Sequence, residues 1–592
     1  MSARFRVVRL HGLALALWVG TCLSAQAPQQ PNPATPESKP PQPLADVTFD
    51  ALVDRYFEGL FHFLPARATY AGFHQFDAEL PAYTRMEIEA EAARTRRALE
   101  ELTAIPSDSL SKDRRFDARL LEGSMRGRLL DLEQIRMWEK DPNFYNSLIG
   151  ESLYVLVQRN FAPLEERVKS LVAREQRVPA LLASARQNVV NPPAVYTTLA
   201  IRQVGFEIQF LQHDLPLAVG GLTDAPLQEQ FARVNQQALD AYEKYQEYLK
   251  TDLAPRSHGS FALGAENFRR KLLYDEMVNT PLTRLLRIGE HALRRTQSDF
   301  KATAALIDPS KTPGEVLKAV SQDHPDADHL IPETQAALGN LRKFLVSHPI
   351  ATVLSPEDPR VTETPPFMRA LTFTSMDTPG PFEEISTEAF YNVTLPDPAW
   401  SAEEKEQHLR FFNRSAIQDT SIHEVFPGHY TQFLWVQRAP TKVRKLVGCS
   451  SNAEGWAHYA EQMMLEQGYG EGDPKLLLVQ LQAALVRLCR YLVAIRLHTR
   501  GMSLEEAVTF FEREGYMEPV NARREALRGT EDPMVLVYTL GKLEVLKLRD
   551  DVQKKVGEGF NLKEFHNRFL SYGYPPIKLI REEMLGDDSP PL

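Results

Sequence analysis

Cysteine is nearly missing from this chain, with three residues in 592. Cys449 and Cys489 fall in helical patterns and Cys22 lies near the N-terminus, so no disulfide framework is implied and stability has to come from a buried core. Positive charge is also scarce. Lys and Arg number 68 against 78 Asp and Glu, a net charge of -10 with pI near 5.9, which excludes the basic face that a nucleic-acid partner requires. Beyond Leu23 the one stretch apolar enough to suggest a membrane span carries Arg487, Arg490 and Arg496, so no integral span is expected after processing. Internal repeats are missing too. What is present, 43% hydrophobic residues in a long chain, can build one large domain or two lobes.

Arg4, Arg6 and Arg9 precede an apolar stretch from Leu13 to Leu23 and the small residues Ser24, Ala25 and Ala27, which is the pattern of a signal peptide over residues 1–27. The expected location is periplasmic or extracellular. Val19-Gly20-Thr21-Cys22 is a poor lipoprotein box because Thr21 precedes the cysteine, which leaves lipid anchoring through Cys22 as the alternative. Residues 28–44, rich in Pro and Gln, read as a solvated linker.

From 45 to 350 apolar residues recur at helical spacing, as in Leu52, Tyr56, Leu60 and Phe63, which predicts an N-terminal helical region. Within the second region, 351–592, Leu371–Thr374 and Ala389–Leu395 are β-prone runs separated by Pro379, Gly380 and Pro381, which predicts a small sheet. Ser401 is placed to cap a returning helix, and Asp473 with Pro474 to start a long one that stops at Gly501.

The chemistry concentrates in His423-Glu424-Val425-Phe426-Pro427-Gly428-His429 and, 25 residues on, Glu454. Two imidazoles and a carboxylate are the donors of a catalytic zinc with one open position, and Glu424 beside the first ligand is a candidate base. In H-E-x-x-H the histidines share a helix face, but here position i+4 is Pro427. Six residues advance about 600°, which points His423 and His429 roughly 120° apart on an unbroken helix. Pro427 and Gly428 must therefore interrupt the helix and return His429 to the face of His423. Glu454, His458 and Glu461 share a helical face, with Glu454 as third ligand and the other two behind it, or His458 in place of one ligand. His324-Pro325-Asp326-Ala327-Asp328-His329 resembles a ligand set but reads as a solvent-exposed loop.

H-E-x-x-P-G-H followed by Glu454-Gly455-Trp456-Ala457 resembles the hallmark of the bacterial family called domain of unknown function 885. Phe63–Gly72, Asp113–Asp117, and Glu525, Arg528, Tyr538 and Gly541 look like its other signatures. Such proteins look like gluzincins. The resemblance implies a mainly α, two-lobed helical zincin-like metallopeptidase with a small β-sheet beside the metal site and a deep central cleft. It implies His423, His429 and Glu454 as ligands of one zinc ion and Glu424 as general base.

The expected reaction is hydrolysis of small peptides, with Tyr538, Tyr572, Tyr574 or His498 as hydrogen-bond donor to the oxyanion. Arg528, Lys542, Lys578 or Arg581 is expected to hold a substrate carboxylate, with Tyr574 and His458 as further substrate contacts. The β-prone segment can accept an extended peptide as an added strand. Another amide or an ester would serve the same chemistry, and an exported binding protein with a structural metal is the reading without turnover; only the enzyme needs Glu424.

Overall fold

Helices form wherever apolar residues recur at three- and four-residue spacing, and the computed structural model is mainly helical. It describes residues 43–365, 369 and 372–592, so the signal peptide, residues 28–42 of the linker, Cys22 and Leu371 lie outside the described residues. Pro43–Leu592 forms one compact unit. Its hydrophobic clusters cross residue 350: Phe49, Phe57 and Leu121 pack with Val443, Leu446 and Leu579, and Phe268, Leu285 and Phe300 with Leu485, Tyr491 and Leu540.

The predicted caps form. Ser401 accepts a hydrogen bond from the Glu404 backbone N–H while Glu404 reaches back to the Ser401 backbone, a reciprocal capping box. Asp473 caps Pro474–Thr499 through the Lys475 backbone N–H at 2.8 Å. That helix is long and apolar enough to cross a membrane, yet it is mostly buried in protein. Each of its arginines has an acidic partner: Arg487 with Glu461, Arg490 with Glu525 and Arg496 with Glu290.

A small sheet is present: one strand falls inside the expected Ala389–Leu395 run, and another begins at Thr374, the last residue of the expected Leu371–Thr374 run. Its strands are β1 (Arg360–Glu363), β2 (Thr374–Asp377) and β3 (Phe390–Val393), in the order β1-β3-β2. β3 runs parallel to β1 and antiparallel to β2, so β2 has one edge without a strand partner among the described residues. β1 was not expected because Arg360–Glu363 is a polar run flanked by prolines. It becomes a strand only by pairing with β3.

Asp141 caps Pro142–Gln158 by accepting the Asn143 N–H at 2.8 Å, but it does so from a buried position. Burial pushes its carboxyl up to about 7. The ionised form is thus penalised in the fold, by an amount that grows as pH rises from about 4 to about 7 and is complete above that. Asparagine keeps the cap without the charge. Asp141→Asn is expected to raise the melting temperature by a few degrees at pH 8 and to leave it unchanged at pH 4, as read by calorimetry.

Candidate metal centre

The helix Arg414–Glu424 stops one residue past His423, and a new helix, His429–Gln437, starts at the second histidine. The break predicted from Pro427 and Gly428 is therefore present. Its backbone groups are not left unpaired: Gly428 N–H donates to Ile422 O at 3.1 Å, Thr431 Oγ1 donates to Val425 O at 3.2 Å, and the Trp456 indole donates to Pro427 O at 2.8 Å. Gly428 is required by contact and not by dihedral angle, because a Cβ there would lie 1.8 Å from His423 O.

The break brings the two rings together, 4.8 Å apart between centroids and nearly perpendicular at 83°. Glu454, from the helix Ser450–Glu466, meets both: its Oε2 lies 3.5 Å from His423 Nε2 and 3.4 Å from His429 Nε2. Those distances are long for hydrogen bonds, and Glu454 Oε2 is a buried oxygen with no hydrogen-bond partner. One donor atom from each residue lies within 4.8 Å of the other two, an arrangement that can hold a metal ion. The Glu454 carboxyl is held well below the usual range: burial raises it, but the two imidazoles outweigh burial. His423 shows the converse. Burial disfavours its charge, yet Glu454 and Glu461 raise its pKa to about 9, so the surroundings favour a positive charge at this point.

Behind the first histidine, Glu461 Oε1 lies 2.7 Å from His423 Nδ1 and Glu461 Oε2 lies 2.9 Å from His458 Nδ1. Glu461 is fully buried, and Arg487 Nη2 meets its Oε1 at 2.9 Å. Burial would raise the Glu461 carboxyl, but Arg487, His458 and His423 hold it well below its usual value. Accepting the Nδ1 proton of His423, Glu461 fixes the tautomer whose Nε2 lone pair faces Glu454.

Glu424 is half-buried, with Thr374 Oγ1 at the start of β2 donating to its Oε1 at 3.5 Å. Tyr538 lies nearly parallel to the His423 ring at 6.5 Å, and its hydroxyl accepts from Arg528 Nη2 at 3.2 Å. Tyr574 is one step removed: Phe433 stacks on His429 at 5.8 Å and meets Tyr574 edge-on at 6.3 Å. His458 is placed behind the triad, 1% exposed, where substrate cannot touch it without displacing Glu461.

His498, Arg581 and Lys578 are not brought here. His498 Nε2 donates to Gly529 O, 2.9 Å away, and the ring packs between Phe261 and Phe268, two helical turns along from Arg490. Arg581 is buried against Asp551 at 2.6 Å and Ser589 Oγ at 2.7 Å. Lys578 pairs with Glu582 and Asp588, while Lys542 is buried behind the triad, its pKa lowered to about 8 by burial despite the nearby Glu461. His329 is exposed beside Asp326, but His324 is half-buried on Glu406 instead of solvated. Sequence reasoning missed Arg487 and Arg490 as parts of the site. Their signal was present, since an arginine in an apolar helix has to find a buried acid.

Because the clash at Gly428 is with backbone, relaxation must move the break itself. Gly428→Ala is expected to cost at least about 2 kcal/mol of stability in denaturant melts, whereas Gly314→Ala, where a Cβ would meet nothing, should cost little.

Solved structures with the same fold include two proteins. One is "a putative lipoprotein of unknown function from Shewanella oneidensis", 27% identical, TM-score 0.75, covering 91% of this chain and 99% of that one. The other, a "putative lipoprotein from Colwellia psychrerythraea", is 18% identical with TM-score 0.78 over the same shares, a likeness of fold alone. No curated protein matches. The model of a family described as bacterial protein of unknown function (DUF885) matches residues 65–584, so the chain belongs to that family.

Proposed function

We propose that this chain is an exported zinc peptidase of gluzincin type, acting on small peptides. The reading is carried by the convergence of His423 Nε2, His429 Nε2 and Glu454 Oε2. A tetrahedral zinc with bonds of about 2.0–2.1 Å sets its donors about 3.3–3.4 Å apart, and the two histidine–glutamate separations are 3.5 and 3.4 Å. The unpartnered Glu454 oxygen and the pull of the two carboxylates toward positive charge support the same assignment. Zinc held there would supply Lewis acidity to a water and to a substrate carbonyl.

The side chains around it divide the remaining work. Glu424 follows the first ligand directly in sequence and ends the same helix, so it can accept a proton from the attacking water and pass it to the leaving amine. Tyr538 donates its hydroxyl proton to the developing oxyanion, and Arg528, which donates to the same oxygen, strengthens it as a donor. The unpaired edge of β2 begins beside Glu424 and suits an extended peptide added as a strand. The Shewanella protein is described as a putative lipoprotein, which fits export and is consistent with the alternative of an anchor at Cys22.

Glu424→Gln is expected to retain zinc near one equivalent by elemental analysis and to slow hydrolysis of a peptide mixture at least about 100-fold by mass spectrometry. Unchanged hydrolysis in the variant, or zinc-loaded wild-type protein that leaves every peptide intact, would refute the reading.

A further inference from the structure

Around Tyr538 the structure gathers three guanidinium groups. Arg487, Arg490 and Arg528 lie with Cζ 5.7, 5.1 and 5.8 Å from its ring centroid. Arg487 is committed to Glu461, and Arg490 is bound by both oxygens of Glu525 at 2.6 and 2.7 Å. Arg528 has no carboxylate within 4.0 Å among the described residues, and its side chain is exposed. Among the described residues its hydrogen bond is to Tyr538.

Arg528 is not isolated. Arg524 stands four residues earlier in the same helix, Pro519–Glu531, with its guanidinium 5.5 Å over Phe373, the residue before β2. The two arginines therefore occupy one face of that helix, one end reaching the β2 and Glu424 side and the other reaching Tyr538. Arg202 and Arg528 repel Arg524, while the Glu525 carboxylate that Arg490 holds offsets that repulsion. Arg528, exposed and with no carboxylate on it among the described residues, is the guanidinium here that can take an anion from outside.

We infer that Arg528 seats the α-carboxylate of a peptide's C-terminus, so that the enzyme trims peptides from that end. A guanidinium fork matches a carboxylate by two parallel hydrogen bonds. The span also fits: Arg528 Cζ is 5.8 Å from the Tyr538 centroid, which is 6.5 Å from the His423 ring. After allowance for the guanidinium–carboxylate contact, the remainder corresponds to one or two extended residues of about 3.5 Å each. Removal of one or two C-terminal residues is the expected cut. This inference deepens the hydrolase reading, on which it rests, and names its substrate end.

The test uses two peptide mixtures of identical sequences, one with free C-terminal carboxylates and one amidated, read in two ways. Turnover by the zinc-loaded wild-type protein is followed by mass spectrometry, and retention is measured by equilibrium dialysis against the Glu424→Gln protein. Free acids should be cut and retained about 10- to 100-fold better than amides. Arg528→Gln should collapse that ratio toward one while keeping the wild-type melting temperature, and Arg528→Lys should restore part of it. Retention that favours free acids without any turnover would sink the hydrolase reading and keep the carboxylate seat. Equal turnover of acids and amides would keep the hydrolase and overturn the seat. A preference that follows Asp or Glu side chains instead of the terminus, or no preference in either readout, also overturns it.

Discussion

An α-helix cannot present residues six apart to one point, and the candidate site depends on how that constraint is met. The helix ends at Glu424 and restarts at His429, with Gly428 close under the His423 carbonyl. The residues that hold this break come from the helix that supplies Glu454. Trp456, fully buried, donates to Pro427 O, so the third member of the triad and the clamp on the break are two residues apart. Between them Gly455 lies against Gly541 of the helix Val537–Val556, where a Cβ would come within 2.4 Å of backbone. In Glu454-Gly455-Trp456, then, the first residue joins the triad, the second makes the helix contact and the third clamps the break. The same helix contact positions Tyr538, three residues before Gly541, beside the His423 ring.

Electrostatics behind the triad are balanced at some cost. Burying an ion costs several kcal/mol, and only close partners with good geometry offset it. Glu461 has three such partners in His423, His458 and Arg487. This arrangement also explains why a buried apolar helix carries arginines. Arg487 meets Glu461 and Arg490 meets Glu525, so Pro474–Thr499 joins the surroundings of the triad to the helix that bears Arg524 and Arg528. One element thus ties the first histidine to the arginine wall.

Local features of this arrangement were legible in the sequence. The two capping residues, Ser401 and Asp473, act within four residues of themselves, and the broken helix follows from the mismatch between six residues and 3.6 per turn. Polar residues whose partners lie far along the chain were not legible. His498 and Arg581 have the same chemistry as Arg528 and Tyr538, but their helices direct them to Gly529 and to Asp551. Helical periodicity gives the buried face of a segment without naming what that face meets. β1 was hidden for a related reason, because its four residues owe their extended form to β3.

The same limit applies to the division at residue 350. Composition separates a helical first region from a second region that holds the motif, but packing joins them. Arg67 donates to Leu446 O, and Arg444 of the short segment between the His429 and Glu454 helices is buried against Asp117 at 2.8 Å. Asp117 and Asp113 belong to one of the N-terminal signatures, and both bind Arg444. The connection that sets the distance between His429 and Glu454 is therefore anchored on the first region. Residues near 115 have no donor to contribute to the triad, yet they fix the segment that aligns two of its members.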